Sequence, residues 1–233
     1  MLHPESGPEQ GRSKMLSAEL IVKLQDQETR AGHGLSAGGE TQPSQPEPVA
    51  DWPALVVRQH RANFELWHIE DEARAPGATD AELADVKRRV DRANQRRNDL
   101  VEEIDRFLLA WLERQGLPNP KSALHSETPG LMIDRLSILS LKIYHTREEA
   151  ERVGAPPGHA ERNRERLAVL AEQRADLADC LEALWRETLA GTRRFKLYRQ
   201  LKMYNDPSLN PAIYGVPSSL KSSGPGDAAC GQS

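Results

Sequence analysis

The stretch 80-DAELADVKRRVDRANQRRNDLVEEIDRFLLAWLERQ-115 decides the fold class. Leu83, Val86, Val90, Ala93, Arg97, Leu100, Ile104, Phe107 and Trp111 recur at alternating steps of three and four residues. That spacing lays one stripe along a helix and cannot serve a strand. A second stretch repeats the rule, with Leu167, Leu170, Arg174, Leu177, Leu181 and Leu184 in a helix from about Ala160 to Ala190.

Working outward, Trp52 to about Arg74 reads as a helix with Pro53 in its first turn. Thr128-Pro129 caps another that ends before Gly154, and a short helix is expected over Thr192–Met203. No alternating apolar pattern signals a strand. The expected fold is all-α, a single up-down bundle of four main helices plus short terminal helices.

Glycine and proline mark the borders. Of 32 such residues, 11 fall in 1–50 and 6 in 215–233, while all 11 aromatics lie between Trp52 and Tyr214. Aromatic-free, Gly/Pro-rich ends bury too little surface to offset their ordering entropy. We therefore expect residues 1–14 to be disordered, a short helix at 15–30, a flexible linker at 31–50, the bundle at 51–207 and a mostly disordered tail at 208–233.

The net charge of −4 argues against a generally basic nucleic-acid binder. No run of 18 apolar residues exists, so no membrane span is expected. The start, MLHPESGPEQGRSK, lacks a signal-peptide core. Cys180 and Cys230 form neither a disulfide framework nor a zinc set, so a cytoplasmic location is expected. The oligomeric state is not legible.

The informative positions are polar residues where a bundle wants apolar ones. Leu55, Ala62, Leu66, Ile69 and Ala73 form the stripe of the first long helix, with Asn63, Trp67, Glu70 and Arg74 beside it and His60, Phe64 and Asp71 next. Glu65, His68 and Glu72 fall on the far side. Arg97 occupies a core heptad position, flanked by Asn94 and Asn98, with Asp105 two turns on; Arg174 repeats the pattern. Buried charges are costly unless paired. Either these groups form an internal network that sets the bundle register, or they line a wet pocket.

LMIDRLSILSLKIY (131–144) is apolar nearly all round, so its helix is expected to be central. It nevertheless carries Asp134, Arg135 and Lys142, and His145 follows. Asp134 and His145 share a stripe with Ile138 and Leu141. Ahead of it, Ser126-Glu127-Thr128-Pro129-Gly130 forms a helix entrance whose free N–H groups favour an anion. The run GTRRFKLYRQLKMYNDP (191–207) interleaves basic and aromatic residues, and Arg199 and Lys202 are expected to close the pocket mouth.

Catalytic signatures are sparse. Glu65-x-x-His68 is half a di-iron motif without its second half. Glu102-x-x-Asp105, joined by Glu70 and Asp71, would suit Mg²⁺ and a diphosphate, as in a nucleotide pyrophosphohydrolase. Glu82-x-x-Asp85 on an exposed face shows how easily that spacing arises. No phosphate loop, dinucleotide fingerprint or nucleophile elbow occurs, and no reaction is assigned.

NFELWHIEDEAR (63–74), NQRRNDLVEEID (94–105), HSETPGLMIDRLSILSLKIYH (125–145) and YRQLKMYNDPSLNP (198–211), with AELIVKLQDQ (18–27), together resemble the bacterial domain of unknown function 4254 family. The resemblance implies a helical protein of no established activity, often encoded near genes for lipopolysaccharide and other surface glycans. Relatives carry a Trp-His pair after the first helix, where this chain has Ala31-Gly32-His33.

The resulting expectation is a bundle whose pocket takes an anionic small molecule, a nucleotide-sugar or sugar phosphate, in surface-glycan synthesis. The candidate ligand-binding residues are Asn63, Glu70, Asp71, Arg74, Asn94, Arg97, Asn98, Asp105, Glu127, Asp134, Arg135, Lys142, His145, Arg199 and Lys202. No resident cofactor is expected; Mg²⁺ belongs only to the pyrophosphohydrolase alternative. A third reading is a non-catalytic partner of a glycosyltransferase.

Overall fold

The computed structural model describes residues 15–35, 51–74, 76–199, 201 and 208–209. The tail expected over 1–14, all of the 208–233 tail but Ser208 and Leu209, and most of the 31–50 linker lie outside the described residues. The chain divides into two compact units, Met1–Tyr198 and Arg199–Ser233. The first holds α1 (Ala18–Leu35), α2 (Trp52–Glu72), α3 (Asp80–Glu113), β1 (Ala123–Leu124), α4 (Pro129–Glu151), α5 (His159–Leu189) and β2 (Arg193–Arg194). Of the second, only Arg199, Leu201, Ser208 and Leu209 are described.

Local chemistry explains the helix starts. Thr79 accepts from the Glu82 amide at 3.3 Å while the Glu82 carboxylate accepts from the Thr79 amide at 2.7 Å, a reciprocal cap for α3. Thr128 caps α4 through the Leu131 amide at 3.3 Å, with Pro129 in the first turn. Helix α1 runs five residues beyond the expected Arg30 boundary. Its Gly32 is needed there, since a Cβ would meet the Phe64 ring of α2 at 2.6 Å.

Cross-helix partners give the directions. Arg58–Glu103, Glu65–Arg96 and Glu72–Arg89 show that α2 and α3 are antiparallel. Ala18 meets Glu182 and Asp26 meets Arg174, so α1 and α5 are antiparallel too. Thr29 meets His60, and Gln59 meets Asp134. The higher-numbered pair His33–Phe64 follows on α1 and α2, and Trp67–His145 on α2 and α4. Helices α1, α2 and α4 therefore run the same way, with α3 and α5 opposed.

Helix α4 packs against all four other helices, which explains its apolar circumference. Ile21, Leu55, Ile104, Leu108, Leu136 and Leu181 are fully buried in one core. Each such side chain contributes roughly 1.5–3 kcal/mol. Ile69, Val86 and Ala93 form a second small cluster between α2 and α3.

The helix expected over Thr192–Met203 is not formed in its described part. Arg193 and Arg194 instead pair in parallel with Ala123 and Leu124, and His125 N–H donates to the Arg194 carbonyl at 2.7 Å. Phe195 is 1% exposed in the core, and burying it here outweighs one more helical turn. The basic run is spent locally as well, since Arg193 pairs with Glu187 and Arg194 donates to the Ser122 carbonyl.

Candidate functional site

A polar seam runs between the three parallel helices. On α1 it is built by Gln25, Thr29 and His33, four residues apart and so on one face. Helix α2 adds Gln59, His60 and Asn63, and α4 adds Asp134 and Ser137. All of these are buried except the half-buried His33.

The Asp134 carboxylate anchors the seam. Its Oδ1 accepts from Gln59 Nε2 at 2.7 Å, Arg97 Nε at 2.8 Å and Asn63 Nδ2 at 2.9 Å. Arg97 Nη2 donates to the other oxygen, which makes a two-armed ion pair. Asn63 also donates to Ser137 Oγ, which lies 2.8 Å from His60 Nδ1. His60 Nε2 lies 2.9 Å from Thr29 Oγ1, and that hydroxyl donates to the Gln25 carbonyl. The Thr29 hydroxyl proton is thus used, so His60 donates from Nε2 and accepts at Nδ1. Burial pushes the His60 pKa down to about 4, keeping the ring neutral.

Beside the seam a groove of about 460 Å³ opens between α2, α3 and α4. Leu66, Trp67, Ile138 and Leu141 give it apolar walls; Asn63, Glu70, Asp71, Arg74 and Arg97 give it polar ones. Arg74 lies 3.3 Å from Asp71 and 3.7 Å from Glu70. Arg97 also lines the groove, with Nε and one Nη2 proton committed to Asp134.

Of the fifteen candidate residues, Asn63, Glu70, Asp71, Arg74 and Arg97 line this groove, and Asp134 lies directly behind Arg97. His145 stacks on Trp67 at its edge, ring centroids 4.9 Å apart. Asn94 and Asn98 do not line it. Neither do Arg135 and Lys142, contrary to expectation. At 100° per residue they sit about a quarter turn round α4 from the stripe of Asp134, Ile138 and Leu141. Arg135 is exposed and pairs with Glu127 at 2.7 Å, and Lys142 is exposed. Arg199 belongs to the second unit, and Lys202 lies outside the described residues.

The acidic set expected for Mg²⁺ does not converge. The α2–α3 pairing puts Glu70 level with Asp91 and Asp105 level with Val56, roughly 20 Å apart along the axes at 1.5 Å per residue. Asp105 has another task. Its carboxylate accepts from Gly130 N–H at 2.7 Å and from Thr128, sitting at the entrance of α4. The anion expected at that helix entrance is therefore the protein's own. Burial pushes the Asp105 pKa up to about 6, against those two hydrogen bonds. A Cβ at position 130 would meet the Val101 carbonyl at 2.6 Å and the Asp105 carboxylate at 2.8 Å, so only glycine permits this closeness.

The sequence reading missed a third cluster. His33, His68 and His145 bring one ring nitrogen each within 4.8 Å of the others. Phe64, Trp67 and Tyr144 pack around them. His68 was expected on the far side of its helix, but α1 covers that side and leaves it half-buried. The available signal was the four-residue spacing of Gln25, Thr29 and His33, an unusual polar stripe for a buried helix face.

No curated protein and no solved structure matches the chain. Among the described residues, no helix is long and apolar enough to cross a membrane. A family model described as "Protein of unknown function (DUF4254)" matches residues 53–197, from the first turn of α2 to just beyond β2. That span holds the groove, the Asp134 network and the Asp105 cap, and it exceeds half of the chain, so the protein belongs to the DUF4254 family.

Proposed function

We propose that the protein binds a small hydroxyl-bearing anion, of the sugar-phosphate or nucleotide-sugar type, in the groove between α2, α3 and α4. The observation that carries this reading is the combination of an indole, two carboxylates and two guanidinium groups around one cavity of about 460 Å³. That volume lies within the range of small-molecule sites. Glu70 and Asp71 would accept from ligand hydroxyls, while Trp67, Ile138 and Leu141 would take the apolar face of a ring. Arg74 and the donors of Arg97 not bound to Asp134 would hold the phosphate by charge-assisted bonds, roughly 1.5–3 kcal/mol each. Ligands of this kind serve surface-glycan synthesis, the setting that the family resemblance implies.

The test is calorimetric and thermal-shift titration of the full chain with sugar phosphates, nucleotide-sugars, free nucleotides and inorganic phosphate. A sugar phosphate or nucleotide-sugar should raise the melting temperature more than phosphate alone. Arg74→Ala and Asp71→Asn should reduce the response, and Lys142→Ala, exposed and outside the groove lining, should not. If none of these compounds shifts the wild type, or if Lys142→Ala loses as much as Arg74→Ala, the groove is not such a site. The reading as a glycosyltransferase partner then leads.

A further inference from the structure

Three histidines that no local motif connects meet at one end of the polar seam. His33 lies in the last turn of α1, His68 near the end of α2 and His145 in α4. Their hydrogen bonds decide which nitrogens are available. His33 Nδ1 lies 2.8 Å from the Thr29 carbonyl, His68 Nδ1 2.8 Å from the Phe64 carbonyl, and His145 Nδ1 3.0 Å from the Glu148 carboxylate. Carbonyl and carboxylate oxygens only accept, so each Nδ1 carries its proton. Each neutral ring therefore keeps its lone pair on Nε2. The Nε2 atoms of His33 and His145 are buried without a hydrogen-bond partner. Buried acceptors without donors cost free energy, and crowding several together compounds the cost.

A cation that accepts lone pairs resolves the arrangement. We infer that His33, His68 and His145 bind one divalent transition-metal ion through their Nε2 atoms, with Zn²⁺ the best fit. Three imidazoles with an open fourth position suit zinc, whose nitrogen ligands stand about 2.0–2.1 Å from the ion. Tetrahedral ligands at that distance are roughly 3.3 Å apart. The rings, with nitrogens within 4.8 Å, therefore close by up to about 1.5 Å on binding.

The outer shell is already built. Two backbone carbonyls and the Glu148 carboxylate hold the Nδ1–H groups, the arrangement that orients metal-bound histidines. The Tyr144 hydroxyl donates to Glu148 in turn, and its ring stacks on His33 with centroids 4.3 Å apart. Phe64 and Trp67 cover His33 and His145 and limit water access. Gly32 lets α1 approach Phe64 closely enough to bring His33 into the cluster. Trp67 stands between metal site and groove, so metal binding is measurable without any groove ligand.

The experiment uses the untagged full chain, stripped with a chelator and titrated with Zn²⁺, and with Co²⁺ as a spectroscopic probe. One ion should bind per chain, and Co²⁺ should show the intense visible bands of low-coordinate nitrogen ligation. His68→Ala and His145→Ala should each weaken Zn²⁺ binding by more than about 100-fold, and Glu148→Gln by about 10–100-fold. His3→Ala and His125→Ala should leave it unchanged. Circular dichroism checks that each variant is folded. Should a ligand variant unfold, histidine ring NMR of the wild type decides instead, since three and only three Nε2 resonances should move when Zn²⁺ is added. The inference is overturned if the wild type binds no ion, if Co²⁺ gives only a pale octahedral spectrum, or if the His3 or His125 variant abolishes binding. The cluster would then be a purely structural ring stack.

Discussion

Arg97 on α3 grips Asp134 on α4 with two arms of its guanidinium group, Nε to Oδ1 at 2.8 Å and Nη2 to Oδ2. The carboxylate is 6% exposed and the arginine side chain 25%. The pair therefore ties α3 to α4 through a buried carboxylate, while its arginine also lines the groove.

Removing one partner should cost far more than removing both. Asp134→Ala strands Arg97, Gln59 and Asn63 and should destabilise by about 3–5 kcal/mol in urea denaturation. Arg97→Met leaves the carboxylate uncompensated and should cost on the order of 2–4 kcal/mol. The double variant Arg97→Met/Asp134→Leu should recover part of the loss, and additive costs would mean that the pair carries no coupling.

Arg174 should matter less. It reaches Asp26 on α1 at 2.9 Å, with side chains 21% and 27% exposed. Water screens that pair, so Arg174→Met should cost about 1 kcal/mol, above the roughly 0.5 kcal/mol of surface sites. A cost equal to that of Arg97→Met would contradict this ranking.

Two buried groups should tilt the pH profile in opposite directions. Burial holds the His60 pKa at about 4 in the folded chain, against its ordinary 6.5. The unfolded chain binds more protons between those values, so His60 lowers stability as pH falls from 6.5 to 4. Asp105 stands at about 6 against 3.8, so it raises stability as pH falls from 6 to 3.8. Each effect is on the order of 3 kcal/mol at most. Over that fall, the stability of wild type relative to His60→Asn should decrease, and relative to Asp105→Asn it should increase. Parallel curves for the two variants would refute the assignment.

Gly130→Ala should be the most damaging single-methyl change of the α3–α4 contact. The added carbon meets a main-chain carbonyl at 2.6 Å, and that carbonyl cannot rotate away. We expect a loss of about 3 kcal/mol, from overpacking together with the displaced Asp105 cap. Gly32→Ala meets a phenylalanine ring, which can tilt, and should cost closer to 1 kcal/mol. Thermal melts of the two variants rank them directly.

Much of the architecture was legible along the chain. The three-and-four spacing around Arg97 and Arg174, the Thr128-Pro129 start and the apolar circumference of 131–144 each report a local helical fact. Such facts survive folding because the helix period acts within a few residues. In its described part, the helix expected over Thr192–Met203 failed for the complementary reason. Its local propensity was overridden by the burial of Phe195 and by pairing of Arg193 and Arg194 with Ala123 and Leu124, seventy residues earlier in the chain.

The site divides along the same line. By itself the sequence determined that Asp134, Ile138, Leu141 and His145 share one face of a helix, and that Arg97 sits on the core stripe of another. Only the tertiary structure decided what those faces meet. It set α1 parallel to α2 and α4, which put His33, His68 and His145 at one level and turned His68 inward. It also carried Arg135 and Lys142 to the outer side of α4 and gave Asp105 to the entrance of that helix. The physical reason is that periodicity fixes the direction of a side chain relative to its own axis. Which neighbour stands in that direction depends on the relative order and direction of helices, set by burial summed over the whole core.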